Sequence, residues 1–208
     1  MPSVRYMRAL DRELGNVYRG RRGRGPSPED CCPPARFEHV YNAREEKSFL
    51  PIVAALRAQF PGRSKRPVVL QLASGFGQLG GLLEREGMEP AMVDVSRENI
   101  EWGRRHGTAG GLAADARELP IRDGSVDAVV SDHFLCASHY VLTRTDEEEI
   151  LDEVRRVLRP GGILVLYNHH RKAPTFGLEE PSLAMDFKVL CHRRRAREEK
   201  MTVLQLRD

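Results

Sequence analysis

The sequence has little of what marks several specialised classes of protein. Its four cysteines show neither CxxC nor zinc-ribbon spacing, so free thiols in a reducing compartment are expected. No apolar run approaches the ~20 residues of a transmembrane helix, and residues 1–5 begin no signal-like apolar segment. We therefore expect a cytoplasmic protein that does not enter a membrane. The formal net charge of +3 is too small to indicate nucleic acid as a partner by itself.

The composition fits one globular domain preceded by an arm. The chain has 208 residues, 40% of them hydrophobic and 30% charged, which is typical of a soluble globular protein. Residues 18–26 contain four arginines, no acidic residue and almost nothing that could be buried. Such a segment cannot offset the entropy that it loses on ordering. We predict a flexible N-terminal arm over residues 1–36 and a single domain over residues 37–208.

Short apolar runs alternate with amphipathic segments along most of the chain. Strands are predicted at residues 67–72, 91–94, 112–115, 126–131 and 163–166, and helices at residues 37–60, 78–86 and 145–158. The runs 187–193 and 201–206 are joined by a charged turn and predict an antiparallel hairpin. The pattern predicts an α/β fold with a doubly wound, mostly parallel sheet that ends in this hairpin and carries helices on both faces.

Two helix starts have a recognisable cap. Ser96 follows the second predicted strand and is expected to cap the next helix. Thr145 and Glu148 have capping-box spacing, which predicts that the helix over residues 145–158 begins there. Residues 160–162, Pro-Gly-Gly, are expected to end that helix before the fifth strand.

Small and acidic residues follow the first three predicted strands, where ligands bind in open parallel sheets. Gly75 and Gly77 follow the first strand and allow a tight turn that approaches a ligand closely. Asp94 ends the second strand and could accept both hydroxyls of a ribose. Asp115, followed by Ala116, comes after the third strand and could accept a bond from an adenine amino group. A cofactor that contains ribose and adenine would be held at both positions.

Residues 67–166 closely resemble the core of the class I S-adenosylmethionine-dependent methyltransferases. The matching stretches are residues 69–77, 93–96, 114–116, 119–127 and 158–162. The terminal hairpin agrees with the resemblance, because that family closes its Rossmann-like, seven-stranded sheet in the same way. By motif the resemblance covers about half of the chain, and five motifs occur in the order and spacing of the family.

The resemblance implies a role for each matching residue. Gly75 and Gly77 would pass close to the methionine part of the cofactor, and Asp94 would hold its ribose. Asp115 and Ala116 would meet the adenine edge. Ser131, at the end of the fourth strand, would lie near the reacting centre. The predicted cofactor-binding set is completed by Tyr41, Gln71, Ala73, Ser74 and Val95.

Two positions depart from the family pattern. Gln71 stands where an acid is usual and supplies no charge for the amino group of the cofactor. Ala73 stands where a glycine is usual and narrows the turn. These departures keep open the alternative of an inactive cofactor-binding partner subunit.

Histidines follow the fourth and fifth strands on the expected substrate side. His133 and His169 are the candidate catalytic bases, because a histidine titrates near pH ~6.5 and can take a proton from an acceptor. A solvated or packing histidine is the alternative at each position. No metal site is predicted, because the histidines show no ligand spacing.

We expect the protein to transfer a methyl group from S-adenosylmethionine to an acceptor, leaving S-adenosylhomocysteine. A small molecule is the expected acceptor, because the insertions that recognise large substrates are missing. Residues 75–80 also satisfy GxGxxG with Asp94 about 20 residues downstream, so an NAD-dependent oxidoreductase remains an alternative. The Arg19 to Arg24 arm leaves an RNA-directed methyltransferase as a further alternative, although nucleic acid is not the expected partner. The sequence does not determine the oligomeric state.

Overall fold

A computed structural model describes residues 46–62, 64–105, 111–135, 142–168, 185–195 and 199–207. The predicted arm over residues 1–36, and two predicted site residues, Tyr41 and His169, lie outside the described residues. The described chain forms helices α1 (Glu46–Gln59), α2 (Gln78–Arg85), α3 (Arg97–Arg105) and α4 (Arg144–Val157). Its strands are β1 (Val68–Leu72), β2 (Glu89–Asp94), β3 (Gly111–Ala113), β4 (Val126–Asp132), β5 (Leu158–Asn168), β6 (Phe187–Arg195) and β7 (Glu199–Leu206).

The strands form one seven-stranded sheet in the order β3-β2-β1-β4-β5-β7-β6. The first five strands along the chain pair in parallel, whereas β7 runs antiparallel to both β5 and β6. The predicted fold class is therefore confirmed, including the terminal hairpin. The strand order reverses between β1 and β4, which is where an open α/β sheet leaves a crevice at its carboxyl edge.

Alternation along β1 separates two hydrophobic cores. Val69 faces a cluster with Ile52 and Leu56 of α1 and with α2. Leu70 and Leu72 face the opposite cluster, which contains the apolar stripe of α4. Since successive strand residues point to opposite faces, a strand buried on both sides has a continuous apolar sequence. This arrangement confirms the predicted helices on both faces.

The predicted cap of α4 was wrong by two positions. Thr143, not Thr145, is the N-cap residue, and its Oγ1 accepts a hydrogen bond from the backbone N–H of Asp146 at 3.1 Å. The Asp146 carboxylate in turn accepts from the Thr143 N–H at 2.8 Å. Aspartate thus fills the capping-box position usually held by Glu or Gln, and the helix begins at Arg144. The Ser96 cap of α3 is confirmed, because its Oγ accepts from the Asn99 N–H at 3.2 Å.

A buried carboxylate closes the amino end of the sheet. Asp127, on β4, accepts hydrogen bonds from the Val68 N–H at 2.8 Å and from the Arg159 guanidinium at 2.9 Å. Its side chain is 7% exposed. Asp127 therefore joins the start of β1 to β4 and the chain after α4, far from the carboxyl edge where ligands bind.

Candidate functional site

The glycine-rich turn after β1 lies at the carboxyl edge next to the strand-order reversal. Ala73, Gly75 and Gly77 all have positive φ values, of 48°, 56° and 77°. The turn is held to β2 because the Ser74 N–H donates to the Val93 carbonyl oxygen at 2.9 Å. A Cβ atom built on Gly75 would meet no atom within 4 Å. The backbone at Gly75 therefore borders space that a ligand can approach without a side chain between them.

Asp94 ends β2 and is the electrostatic anchor of this turn. Its carboxylate accepts from the Gly75 N–H at 2.7 Å, the Ser96 N–H at 2.9 Å and the Asn99 amide at 3.4 Å. The side chain is buried, so these donors compensate a charge removed from water. Asp94 therefore ties the glycine turn to the end of β2 and to the start of α3 at the carboxyl edge.

Buried polar atoms beside the turn lack a hydrogen-bond partner among the described residues. These atoms are the Gln71 Oε1, on β1, and the Ser74 Oγ, in the turn itself. Both residues are less than 9% exposed, at 4% and 7%. An unsatisfied buried polar atom costs about 1–3 kcal/mol. Their position fits a polar ligand part, such as an amino-acid moiety, that would supply the missing partners.

Asp115, which follows β3, belongs to an ion-pair network that extends to α4. The Arg117 guanidinium donates to Asp115 Oδ2 at 2.6 Å and to Asp146 Oδ1 at 2.7 Å. Burial alone would raise the pKa of both carboxyls. At Asp115 the hydrogen bonds from Arg117 outweigh burial. At Asp146 the hydrogen bonds from Thr143, and then that from Arg117, outweigh it. The pKa of each carboxyl is therefore lowered, and that of Arg117 is raised mainly by its bonds to Asp115. Asp115 is one-third exposed and can still meet a ligand.

Ser131 and His133 occupy the end of β4, beside the glycine turn. β1 and β4 pair with Leu72 opposite Ser131, and the buried Ser131 Oγ accepts from the Leu135 N–H at 2.9 Å. His133 has a φ of 57°, and its N–H donates to the Tyr167 carbonyl oxygen at 3.0 Å. Its Nδ1 lies 3.0 Å from Asp132 Oδ1. The histidine is thus held both by its backbone and by its ring.

The predicted residues that follow β1, β2 and β4 lie together at the carboxyl edge of the sheet. Asp115 follows β3, the neighbour of β2. The β3 end is joined to β2 because the Ala114 N–H donates to the Asp94 carbonyl oxygen at 3.0 Å. Val95 is half-buried directly after Asp94, and Ala116 is buried directly after Asp115. The roles of these residues toward a ligand stay predictions.

Sequence reasoning missed three contributors to the site. Arg117 and Asp132 are charged partners of predicted residues, at two positions after Asp115 and one before His133. Phe76 packs on Trp102 of α3, with ring centroids 4.7 Å apart. A carboxylate two positions before an arginine, or directly before a histidine, was an available signal for the first two. The aromatic pair joins positions 26 residues apart and had no local signal.

Comparison with known proteins shows which proteins this part of the chain resembles. Residues 70–166 match the family model described as a methyltransferase domain. YqeM of Bacillus subtilis (strain 168) is 32% identical over 119 residues, which are 55% of this chain and 46% of YqeM. The demethylmenaquinone methyltransferase of Clavibacter sepedonicus is 35% identical over 119 residues, 55% of this chain and 45% of that one. Residues 70–166 are therefore similar to a methyltransferase domain. The chain spans less than half of the length of these two relatives.

A solved structure shares the fold of the methyltransferase domain over nearly the whole chain. It is the 1,6-didemethyltoxoflavin-N1-methyltransferase of Burkholderia thailandensis, with 1,6-didemethyltoxoflavin and S-adenosylhomocysteine bound. The TM-score is 0.63 at 17% identity, and the match covers 98% of this chain and 90% of that one. In the part of the present chain that is described, no helix has the length and apolar character needed to span a membrane.

Proposed function

We propose that the methyltransferase domain binds S-adenosylmethionine at the carboxyl edge of β1, β2 and β3 and transfers its methyl group to a small-molecule acceptor. The observation that carries the proposal is the glycine turn, which Asp94 holds open beside buried polar atoms that have no partner among the described residues. A polar ligand with a nucleoside at one end and an amino acid at the other matches these features. The names of the relatives support methyl transfer as the reaction.

Each part of the turn has a task in this proposal. Gly75 lets the backbone approach the methionine portion, because its Cβ position is open. The Gln71 and Ser74 side chains supply hydrogen-bonding atoms to the amino-acid group without supplying charge. Asp94 accepts a ribose hydroxyl while its remaining lone pairs keep the turn in place. Binding of the cofactor therefore uses groups that the fold has already ordered, which lowers the entropy cost of binding.

Methyl transfer requires mainly that the acceptor be aligned with the methyl group of the cofactor. Bound S-adenosylmethionine would supply a methyl group that is already electrophilic, because it is attached to a sulfonium sulfur. The chain contributes a site that holds the acceptor in line with the methyl group. Alignment of two reactants can lower a barrier by ~7–11 kcal/mol. The end of β4 lies beside the glycine turn, since β4 is paired with β1. It is therefore the proposed position of the acceptor.

His133 is the proposed base for an acceptor that must lose a proton. The Asp132 carboxylate, 3.0 Å from Nδ1, would favour the tautomer with the proton on Nδ1 and direct proton acceptance to Nε2. The positive φ of 57° at His133 is a strained backbone of the kind found at functional sites. A general base of this type contributes roughly 10²–10⁴-fold to a rate. His133→Gln should therefore lower kcat far more than it weakens cofactor binding, and Asp132→Asn should lower kcat by less, because the base stays and loses only its orienting partner.

The acceptor class is proposed from the relatives and neighbours. One relative is named for demethylmenaquinone, and the Burkholderia thailandensis neighbour holds 1,6-didemethyltoxoflavin. Both names denote compounds that contain a ring system able to carry a methyl group. We propose a small cyclic molecule with a nucleophilic ring carbon or nitrogen as the acceptor class for this chain.

The activity is tested by release of S-adenosylhomocysteine from S-adenosylmethionine in the presence of a panel of demethylated quinols and ring N–H heterocycles. The full chain should release product with at least one acceptor, and Asp94→Asn should release it much more slowly at cofactor concentrations that do not saturate the variant. Asp127→Asn is the matched control, because it changes a second buried carboxylate at the opposite end of the sheet. Equal loss of activity in both variants, with both folded, would argue against a site at the carboxyl edge.

A further inference from the structure

Arg117 is the one described residue that joins the proposed nucleoside site to the start of α4 through ion pairs on both sides. On one side its Nε and Nη2 meet the Asp115 carboxylate, with Nη2–Oδ2 at 2.6 Å and Nε–Oδ1 at 3.1 Å. On the other side its Nη1 donates to Asp146 Oδ1 at 2.7 Å. Asp146 also forms the capping box of α4 with Thr143. The guanidinium therefore links two carboxylates that belong to different elements.

The geometry at Asp115 fixes the plane of its carboxylate. Two parallel bonds from a guanidinium to a carboxylate determine direction as well as position, which a lysine ammonium cannot do. The Arg117 backbone N–H adds a bond to Asp115 Oδ1 at 2.9 Å. Asp115 is still 32% exposed on its side chain. An amino group on a ligand base would thus meet an acceptor whose orientation is set before binding.

The geometry at Asp146 fixes the first turn of α4. Its side chain is 9% exposed and is shared between Thr143 and Arg117. The first turn of α4 is therefore tied to Arg117 through Asp146.

We propose that Arg117 is a positioning residue that sets the Asp115 carboxylate for recognition of the adenine amino group and couples nucleoside binding to the first turn of α4. The inference rests on the proposed binding of an adenosine cofactor. A ligand that bonds to Asp115 stabilises one orientation of that carboxylate, which stabilises Arg117 and, through it, Asp146. Two consequences can be measured: selectivity for adenine over hypoxanthine, and ligand-dependent protection of the start of α4.

Arg156 provides a matched control within the same region. Its guanidinium also joins the chain between β3 and β4 to α4, through Glu153, Asp123 and the Leu119 carbonyl oxygen. It bonds to none of the predicted cofactor-binding residues in any contact that the structure gives. Arg156→Met and Arg117→Met each remove one guanidinium and one link between this connection and α4. A purely structural role would affect both variants in the same way.

The first experiment compares binding of S-adenosylhomocysteine with that of S-inosylhomocysteine, in which a carbonyl oxygen replaces the 6-amino group. The wild-type chain and Arg156→Met should prefer the adenine compound by about tenfold, the value of one hydrogen bond to a charged group. Arg117→Met should reduce this preference to about twofold, and Arg117→Lys should not restore it, since the ammonium lacks the planar fork.

The second experiment measures backbone hydrogen exchange with and without S-adenosylhomocysteine. Ligand should slow exchange in the first turn of α4 in the wild-type chain and in Arg156→Met, but not in Arg117→Met. Asp146→Asn, which keeps an acceptor for the cap, should show reduced protection. If an Arg156 variant does not fold, Arg97→Met on the exposed side of α3 replaces it as the control.

The outcomes separate this inference from the proposed function. Wild-type binding of S-adenosylhomocysteine with an unchanged adenine preference in Arg117→Met would overturn the role of Arg117 and leave the cofactor site standing. Failure of the wild-type chain to bind either nucleoside would overturn both. Loss of the preference in Arg117→Met together with loss of protection in α4 would support both parts of the inference.

Discussion

The buried polar groups at the two ends of the sheet differ in their hydrogen bonding. At the amino end, Asp127 is satisfied by a backbone N–H of β1 and by Arg159. At the carboxyl edge, Gln71 Oε1, Ser74 Oγ and Asn99 Oδ1 are buried without a hydrogen-bond partner among the described residues. The two non-glycine residues with positive φ in the described chain, Ala73 and His133, also lie at this edge.

The comparison separates residues that stabilise the fold from residues that are available to a ligand. A domain tolerates unsatisfied polar atoms and a strained backbone where function requires them, at a cost of about 1–3 kcal/mol each. At the amino end the buried Asp127 carboxylate carries no such cost, because it accepts hydrogen bonds from β1 and from Arg159. The carboxyl edge is therefore the part of the methyltransferase domain at which substitutions should change binding more than stability.

The largest expected effect is on binding at the carboxyl edge. Asp94→Asn removes the charge that holds the Gly75 N–H and that is proposed to accept a ribose hydroxyl. We expect S-adenosylhomocysteine to bind about 3 kcal/mol more weakly, roughly a hundredfold. Fluorescence of Trp102, the single tryptophan of the chain, reports on the turn through its contact with Phe76. An unchanged dissociation constant would remove Asp94 from the site.

The next effect is on stability at the amino end. Asp127→Asn cannot serve both the Val68 N–H and the Arg159 guanidinium as acceptors, because one side of the amide is a donor. The free energy of unfolding should fall by about 2 kcal/mol, since a buried group then lacks its partner. Denaturant unfolding measures this change, and cofactor affinity should stay within experimental error. A loss of affinity comparable to that of Asp94→Asn would break the comparison between the two ends.

A smaller effect tests the strain in the glycine turn. Ala73 has a φ of 48°, a region that costs an L-residue roughly 1–2 kcal/mol relative to glycine. Glycine loses more entropy on folding, which offsets about 0.4–1 kcal/mol of the gain. Ala73→Gly should therefore stabilise the domain by about 0.5–1 kcal/mol. The same change at Ala55, inside α1, should destabilise it by about 1 kcal/mol. If both variants shifted the unfolding temperature in the same direction, the backbone at Ala73 would not be strained.

The smallest expected effect is on the pH dependence of stability. The pKa values of Asp115 and Asp146 lie below the usual 3.8 because the bonds that both accept outweigh burial. Since the unfolded chain takes up protons first, this stabilisation is present above pH 3.8 and is lost as the pH falls through the lowered values. Urea midpoints at pH 5, 4 and 3 should fall less steeply in Arg117→Met than in the wild-type chain. Parallel curves would show that the network does not contribute.

The fold could be predicted because its signals are local. The β1 sequence is apolar at every position except Gln71, as expected of a strand buried on both faces, and the hairpin strands are joined by a short charged segment. The error at α4 came from the choice of acidic partner. Thr145 with Glu148 matches the usual pattern, but Thr143 with Asp146 forms the cap because the Asp146 carboxylate is also held by Arg117.

The candidate site could be predicted only as a set of residue types. Gly75 and Asp94 were predicted to bind one cofactor from the ends of neighbouring strands, and the structure joins them directly by a bond of 2.7 Å. The pairing of Arg117 with Asp146 spans 29 positions and depends on how the chain returns to α4, which no local pattern contains. The open Cβ position at Gly75 and the unpartnered atoms of Gln71 and Ser74 depend on packing alone.

Calorimetric titration of the full chain with S-adenosylhomocysteine, followed by NAD, tests the proposed cofactor site most directly. S-adenosylhomocysteine should bind at a single site per chain, and NAD should neither bind nor displace it. Binding of NAD without binding of S-adenosylhomocysteine would overturn the proposed site, because the glycine turn and Asp94 would then bind a dinucleotide.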